Sequence, residues 1–415
     1  MALNHSSVKF ILLLGALSAI PALSVDMSLP ALPGLQRSFG VTAMLAAQTL
    51  GIFLLGFASG PIFFGPLSDR YGRRPIMIFG LVLFSLAGIG CVFAPSIHIF
   101  LSCRCIQGVA AGAAAVLPAA IVRDVFSGLE GRKRQSYVAL FNYGGPLVAP
   151  LLGAAVMTAG GNWRAIFLLL GAGGLVLLGV CYIGFSETLP AERRASRSKA
   201  MLSGYGSVVR DKRYLIATAL QTLSFCGMFA FISASPLILM NNYGLSSSAF
   251  GLVFAATAAG SIIGSAANSY LLGRHVSHLR LLGTGVVVSA FAAGGLFILA
   301  ESGNATVLLI TILVIVSNIC VGIVVPNTTH SALEGLASIA GTGSALLRST
   351  QMLGGAAASV LVARLYDGQS AKAMSLVMAG CALGSVVCLL LGVKHLTAEL
   401  LIPTEDAMAT SKLDV

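Results

Sequence analysis

Charge is what this chain has least of. Asp, Glu, Lys and Arg make up 9% of its 415 residues against 57% hydrophobic ones, where a soluble domain carries roughly 25% charged residues. So few charges cannot cover the surface of a soluble protein of this size, which leaves an integral membrane protein. Strict apolar–polar alternation is missing too. The apolar residues run on unbroken, as from Ile76 to Ala94, which suits membrane helices rather than barrel strands. The eight cysteines all lie inside such runs and form no C-x-x-C pair, against a disulfide framework or a zinc site. His275-x-x-His278 has no acidic or cysteine companion nearby and is expected to be a pair of solvated loop histidines. With no nucleophile–base set, ligand cluster or phosphate loop, a membrane enzyme is not the reading. The net charge of +11 would suit nucleic acid if it formed a patch, but the basic residues sit in alternate short loops.

About twelve apolar spans of bilayer length can be read along the chain. Glu187 to Arg213 is the one long polar stretch. It divides the protein into a first six-helix half (residues 1–186), a linker (187–213), a second half (214–393) and a tail (394–415). If the short loop after span two is cytoplasmic, so are the loops after spans four, six and eight and both termini. Of the 25 Lys and Arg residues, only Arg37, Arg164, Arg364 and Lys372 then fall outside, and Arg104 and Arg348 fall within spans. That bias obeys the positive-inside rule.

The most distinctive stretch is Gly65-Pro66-Leu67-Ser68-Asp69-Arg70-Tyr71-Gly72-Arg73-Arg74-Pro75, read as a short basic loop between spans two and three. Gly65 and Gly72 permit close approach and positive φ, and Pro75 suits a first helical turn. The spacing Gly65-x-Leu67-x-Asp69-Arg70-x-Gly72-Arg73-Arg74 resembles the loop between helices two and three of the major facilitator superfamily. The resemblance implies an all-α fold of twelve transmembrane helices in two six-helix bundles, with this loop gating the inner side. Arg123, at the inner end of span four, is the expected partner of Asp69.

Two charges inside the membrane carry the functional expectation, because ionisable groups there are costly and usually face a cavity. Asp26 lies near the outer end of span one and Arg104 about two turns inside span four, at similar depth. Asp26 either couples protons or caps its helix beside Pro30; a contact with Arg104 is either a switch broken by protonation or a fixed ion pair. Arg104-x-x-Gln107-Gly108 resembles the superfamily's helix-four motif, whose arginine is implicated in proton transfer or substrate contact. Gly145, Pro150 and Gly153 in span five match its antiporter motif, with Ala149 and Ala154 replacing two glycines. A plain stripe of small packing residues is the alternative.

Asp26-Met27-x-Leu29-Pro30, Trp163-Arg164-Ala165-Ile166-Phe167 and Gly341-Thr342-Gly343-Ser344-Ala345 narrow the resemblance to the bicyclomycin/chloramphenicol-resistance branch of bacterial drug:proton antiporters. It implies a multi-pass protein of the bacterial inner membrane, a monomer that exports drug-like molecules against protons, with the proton gradient in place of a cofactor. Phe225 and Phe229, one turn apart, are expected to line the substrate cavity with Asp26 and Arg104. Asn142, Tyr143, Asn268 and Asn318 either contact substrate or tie helices together. A metabolite exporter or nutrient:proton symporter of the same fold is the rival reading.

Overall fold

The computed structural model describes residues 7–190, 206–334, 336 and 340–396, and twelve of its helices are long and apolar enough to cross a membrane. The first half holds α1 (Val8–Asp26), α2 (Ala43–Tyr71), α3 (Arg73–Phe93), α4 (Ile97–Val125), α5 (Gly128–Thr158) and α6 (Trp163–Gly184). The second holds α7 (Lys212–Ser235), α8 (Ser247–Gly273), α9 (His278–Glu301), α10 (Val307–Leu333), α11 (Ala340–Leu365) and α12 (Lys372–Leu396). The polar residue just before a span often caps it, giving its side-chain oxygen to an orphan amide of the first turn. Ser7, Thr42, Ser96, Asn162, Asp211, Ser246 and Thr306 all do so.

Three expected boundaries are corrected. Most of the stretch from Gly65 to Pro75 is helical: α2 runs through Pro66 to Tyr71, α3 starts at Arg73, and Gly72 alone joins them. The basic stretch Arg123–Arg134, which a count of apolar runs leaves between spans four and five, is almost wholly helical: only Phe126 and Ser127 separate α4 from α5, which begins at Gly128. There Glu130 and Arg134, one turn apart, pair at 2.6 Å and support the added turns. Span one stops at Asp26, followed by a 3-10 turn at Leu29–Ala31 and a short helix at Leu32–Phe39. Arg193, Arg194, Arg197 and Lys199 of the linker lie outside the described residues.

Packing repeats between the halves. α1 lies on α4 and α5, α2 on α4, and α3 on α4 and α6; α7 likewise lies on α10 and α11, α8 on α10, and α9 on α10 and α12. Glycines set the closest crossings: Gly60 meets Gly112 between α2 and α4, and Gly264 meets Gly322 between α8 and α10. In a bilayer, helix association rests on such close packing, because lipid tails are as apolar as leucine.

Each helix runs between two faces. The basic face carries Gly72 and the α4–α5, α6–α7 and α8–α9 connections; the far face carries the end of α1 and the start of α2. The halves meet through α2 on α11 and α5 on α8, and the contacts lie towards the far face. Gly51 abuts Ala356, Ser359 and Val360; Gly251 abuts Pro150 and Ala154. Ala47, Leu237 and Ala363 form a small apolar cluster there. Between described residues, the hydrogen bond that joins the halves is also at that face, from the Asn241 amide to Gln36 Oε1 at 3.3 Å.

Candidate functional site

Arg104 is fully buried. One guanidinium nitrogen, Nη1, donates to Gln107 Oε1 at 2.7 Å, and Nη2 donates to the Ser24 carbonyl at 3.2 Å. The plane sits 4.4 Å from the centroid of Phe53 and 5.4 Å from that of Phe167, a geometry in which ring faces attract a cation. The Ser24 carbonyl is one of the last four of α1, which have no partner inside their own helix. The neighbouring Val25 carbonyl takes the Ser28 hydroxyl at 2.8 Å. Arg104 therefore caps the end of α1, where a cation also suits the helix dipole.

Asp26 ends the same helix and is 4% exposed. The expected contact with Arg104 is not formed, and among the described residues no hydrogen bond or ion pair reaches its carboxyl. Helical register explains this. Gly15, Ser18 and Ala22 make the stripe of α1 that meets Phe141, the Val138 carbonyl and Gly145 of α5. Asp26 is one turn on from Ala22 and shares that stripe, whereas Arg104 approaches from α4 and stops at the backbone of Ser24.

The stripe of α5 that Asp26 adjoins is the one holding Gly145 and Gly153. A Cβ on Gly145 would stand 2.8 Å from Ala22 Cβ, and one on Gly153 would run into the Met27 carbonyl just beyond Asp26. Pro150 and Ala154 face Gly251 of α8 in the other half. α5 is thus clasped between the acidic end of α1 and the second half.

At the basic face, Arg73 is the hub. Its guanidinium bonds Asp69 at 2.7 Å and Asp124 at 2.8 Å, and its Nη1 donates to the Ser68 hydroxyl at 2.6 Å. The cation set against Asp69 is Arg73, where the sequence pointed to Arg123. The reason is local: Asp69 and Arg73 are four apart, and only Gly72 separates their helices. Gly72 has φ 104° and ψ 159°, a region open in practice to glycine alone. Glu187, at the end of the first half, accepts the amides of Arg73 at 2.9 Å and Arg74 at 3.1 Å. A carboxylate so placed satisfies the orphan donors that open α3. Arg74 also donates to the Tyr182 carbonyl, and Arg70 lies over the ring of Tyr71. Gly65, inside α2, accepts the Ser68 hydroxyl through its carbonyl.

Phe225 and Phe229 pack with tilted rings, centroids 4.7 Å apart. Phe229 touches the α11 backbone at Gly355, where Leu54 of α2 also arrives, so this pair stands at the seam between the halves. Asn142 is half-buried on α5, and the Tyr143 side chain lies outside the described residues. Asn318 and Asn268 tie helices together: Asn318 donates to the Thr257 carbonyl, and Asn268 accepts from Asn327. The residues sequence reasoning missed are Ser24, Phe53, Gln107 and Phe167 around Arg104, and Ser68, Asp124 and Glu187 around Arg73. Gln107, one turn after Arg104, carried a usable signal; the others come from distant stretches.

The sequence model of the family described as the Major Facilitator Superfamily matches residues 14–359. The chain is 30% identical to the MFS-type transporter YdgK of Bacillus subtilis (strain 168), over 84% of this chain and 87% of that one. It is 28% identical to a bicyclomycin resistance protein homolog of Haemophilus influenzae, over 92% and 96%. In fold it is similar to a bacterial homolog of the human lysosomal transporter Spinster, solved in an inward-facing and occupied conformation. That match has a TM-score of 0.69 at 16% identity and covers 95% of this chain and 96% of the other. Twelve spans in two similarly packed halves, a basic hinge at Gly72 and a match over most of the length agree: the chain belongs to the Major Facilitator Superfamily.

Proposed function

We propose that this transporter exports small, fairly apolar, drug-like compounds in exchange for protons, by alternating access and with no cofactor beyond the proton gradient. The observation that carries the reading is Asp26: a buried carboxyl that no cation among the described residues pairs with, against the helix that joins the two halves. A carboxylate without a fixed partner is free to change protonation, whereas one locked in an ion pair resists it. Its charge bears on α5, and α5 bears on α8, so loading and unloading a proton biases how the halves meet. The small residues of α5 allow that sliding.

The strong basic bias favours placing the basic face and both termini in the cytoplasm of a bacterial inner membrane. In that orientation the contacts between the halves close the outer side and the cleft opens inward. Compound enters from the cytoplasm while Asp26 releases its proton; the halves then rock, and Asp26 is reloaded from outside. The Arg73–Asp69–Asp124 cluster steadies the first half at the hinge. The bicyclomycin resistance name of the Haemophilus relative supports an efflux cargo, and the working unit is a monomer.

Everted membrane vesicles energised by respiration test this, with lumenal pH followed by a fluorescent probe. Chloramphenicol-like compounds should release protons from wild-type vesicles, and Asp26→Asn should abolish the release at equal expression. Unchanged release in Asp26→Asn would sink the coupling role. Nutrient movement in the opposite direction, without any drug response, would turn the reading to a symporter.

A further inference from the structure

The outer side of α3 carries a groove at its basic-face end, away from the Arg104 cap and from the cleft. It measures about 650 Å³, within the range of ligand pockets, and is lined by Tyr71, Arg74, Ile78, Phe79, Val82 and Glu187. Helical register shows what it opens onto. α3 presses its glycines inward: Gly80 meets Ala113 of α4, and Gly88 meets Gly171 of α6. Phe79, Val82 and Leu86 lie on the opposite side and are all exposed. The groove therefore opens towards lipid, and its apolar wall continues along the span.

The mouth of the groove is basic. Arg74 donates through Nη2 to the Tyr182 carbonyl at 2.8 Å, its buried Nε has no partner, and no acid among the described residues pairs with its guanidinium. Arg70 is exposed and lies 5.3 Å from the centroid of the exposed Tyr71 ring. The acids nearby are engaged elsewhere. Glu187 accepts the four backbone amides of Arg73, Arg74, Thr188 and Leu189, and Asp69 is turned to Arg73. A guanidinium fork suits a phosphate. Tyrosines gather where a membrane passes from apolar to wet, and an acyl chain asks only for an apolar wall. We propose that this groove binds an anionic phospholipid, its phosphate on Arg74 and Arg70 and one acyl chain laid along Phe79 and Val82. A lipid so seated braces the end of α2 at Tyr71 against the start of α3, across Gly72. The site lies outside the cleft and does not depend on which cargo the transporter moves.

The test is the thermal unfolding midpoint of the full-length protein in detergent, titrated with phosphatidylglycerol, phosphatidylcholine or inorganic phosphate. A ligand of the folded state raises the midpoint. Wild type should respond to phosphatidylglycerol at lower concentration than to phosphatidylcholine, and not to inorganic phosphate, which has no chain to lay on the wall. Arg74→Gln should raise the half-saturating phosphatidylglycerol concentration about fivefold, the worth of one arginine at an anionic membrane surface, and leave the phosphatidylcholine response unchanged. Arg74→Lys should keep most of the preference. Arg70→Gln should lower it too, and carries the test if Arg74→Gln does not insert. Phe79→Ala should weaken both lipids; Phe291→Ala, an exposed ring on α9 of the other half, should weaken neither. Equal responses to the two lipids, or a preference that survives both glutamine variants, would overturn the proposal. So would a full response to inorganic phosphate, which would mark a site for the free anion.

Discussion

Arg104 holds the Ser24 carbonyl at 3.2 Å, two residues before Asp26, and leaves the Asp26 carboxyl unpaired. The arginine fixes where α1 ends, and so where the acid is presented, without fixing the acid's charge. Arg104→Met would strip both the Ser24 carbonyl and Gln107 of a buried donor, at a cost of about 1–3 kcal/mol for each group left unsatisfied. Thermal unfolding in detergent should fall clearly for Arg104→Met and less for Arg104→Lys. Asp26→Asn should stay close to wild type, because no ion pair is lost; a large drop there would reveal a partner for Asp26.

Gly72→Ala should destabilise the hinge by about 1–3 kcal/mol, since a Cβ at φ 104° is strained whatever the space around it. The check is the unfolding midpoint of the purified variant beside Gly128→Ala, whose glycine also has positive φ (58°). That angle lies in the left-handed region, which other residues tolerate better, so the Gly72 variant should lose more.

Glu187→Ala would remove the carboxylate that accepts the Arg73 and Arg74 amides and should cost about 0.5–2 kcal/mol, the worth of a helix cap. Glu187→Gln keeps an acceptor and should recover part of it. Equal losses in both would show that charge at the head of α3, rather than hydrogen bonding, is what matters.

The Gln36–Asn241 contact predicts a reversible lock. In the double variant Gln36→Cys with Asn241→Cys, mild oxidation should stop transport and a reductant should restore it. The wild type, whose eight cysteines are all unpaired, should be indifferent to the same treatment. Transport that continues in the crosslinked protein would mean that the far face need not open.

Gly153→Val should uncouple export from protons more than it lowers expression. A side chain there strikes the Met27 carbonyl and pushes α5 off the end of α1. Proton release per compound exported, compared with Gly173→Val, is the measure. A Cβ on Gly173 meets nothing within 4 Å, so that variant should behave as wild type.

Twelve spans and the basic bias of alternate loops were legible in the chain, because a bilayer demands long apolar runs and leaves charges to the loops. Local rules also reached Gly72, with its forced backbone. The partners were not legible. Asp69 meets Arg73 rather than Arg123, because α2 and α3 leave only Gly72 between them, a closeness that helix boundaries set and composition does not. Asp26 and Arg104 share a depth, as their positions implied, but they lie on different sides of α1. Depth follows from counting residues at a fixed rise per turn; azimuth follows from which neighbour each helix presses against. The number and order of the spans follow from the chain alone, because a bilayer asks only for long apolar runs. Which side of each helix meets which is set by packing across the whole molecule, and with it the place of Asp26 against α5, where no cation among the described residues pairs with its carboxyl.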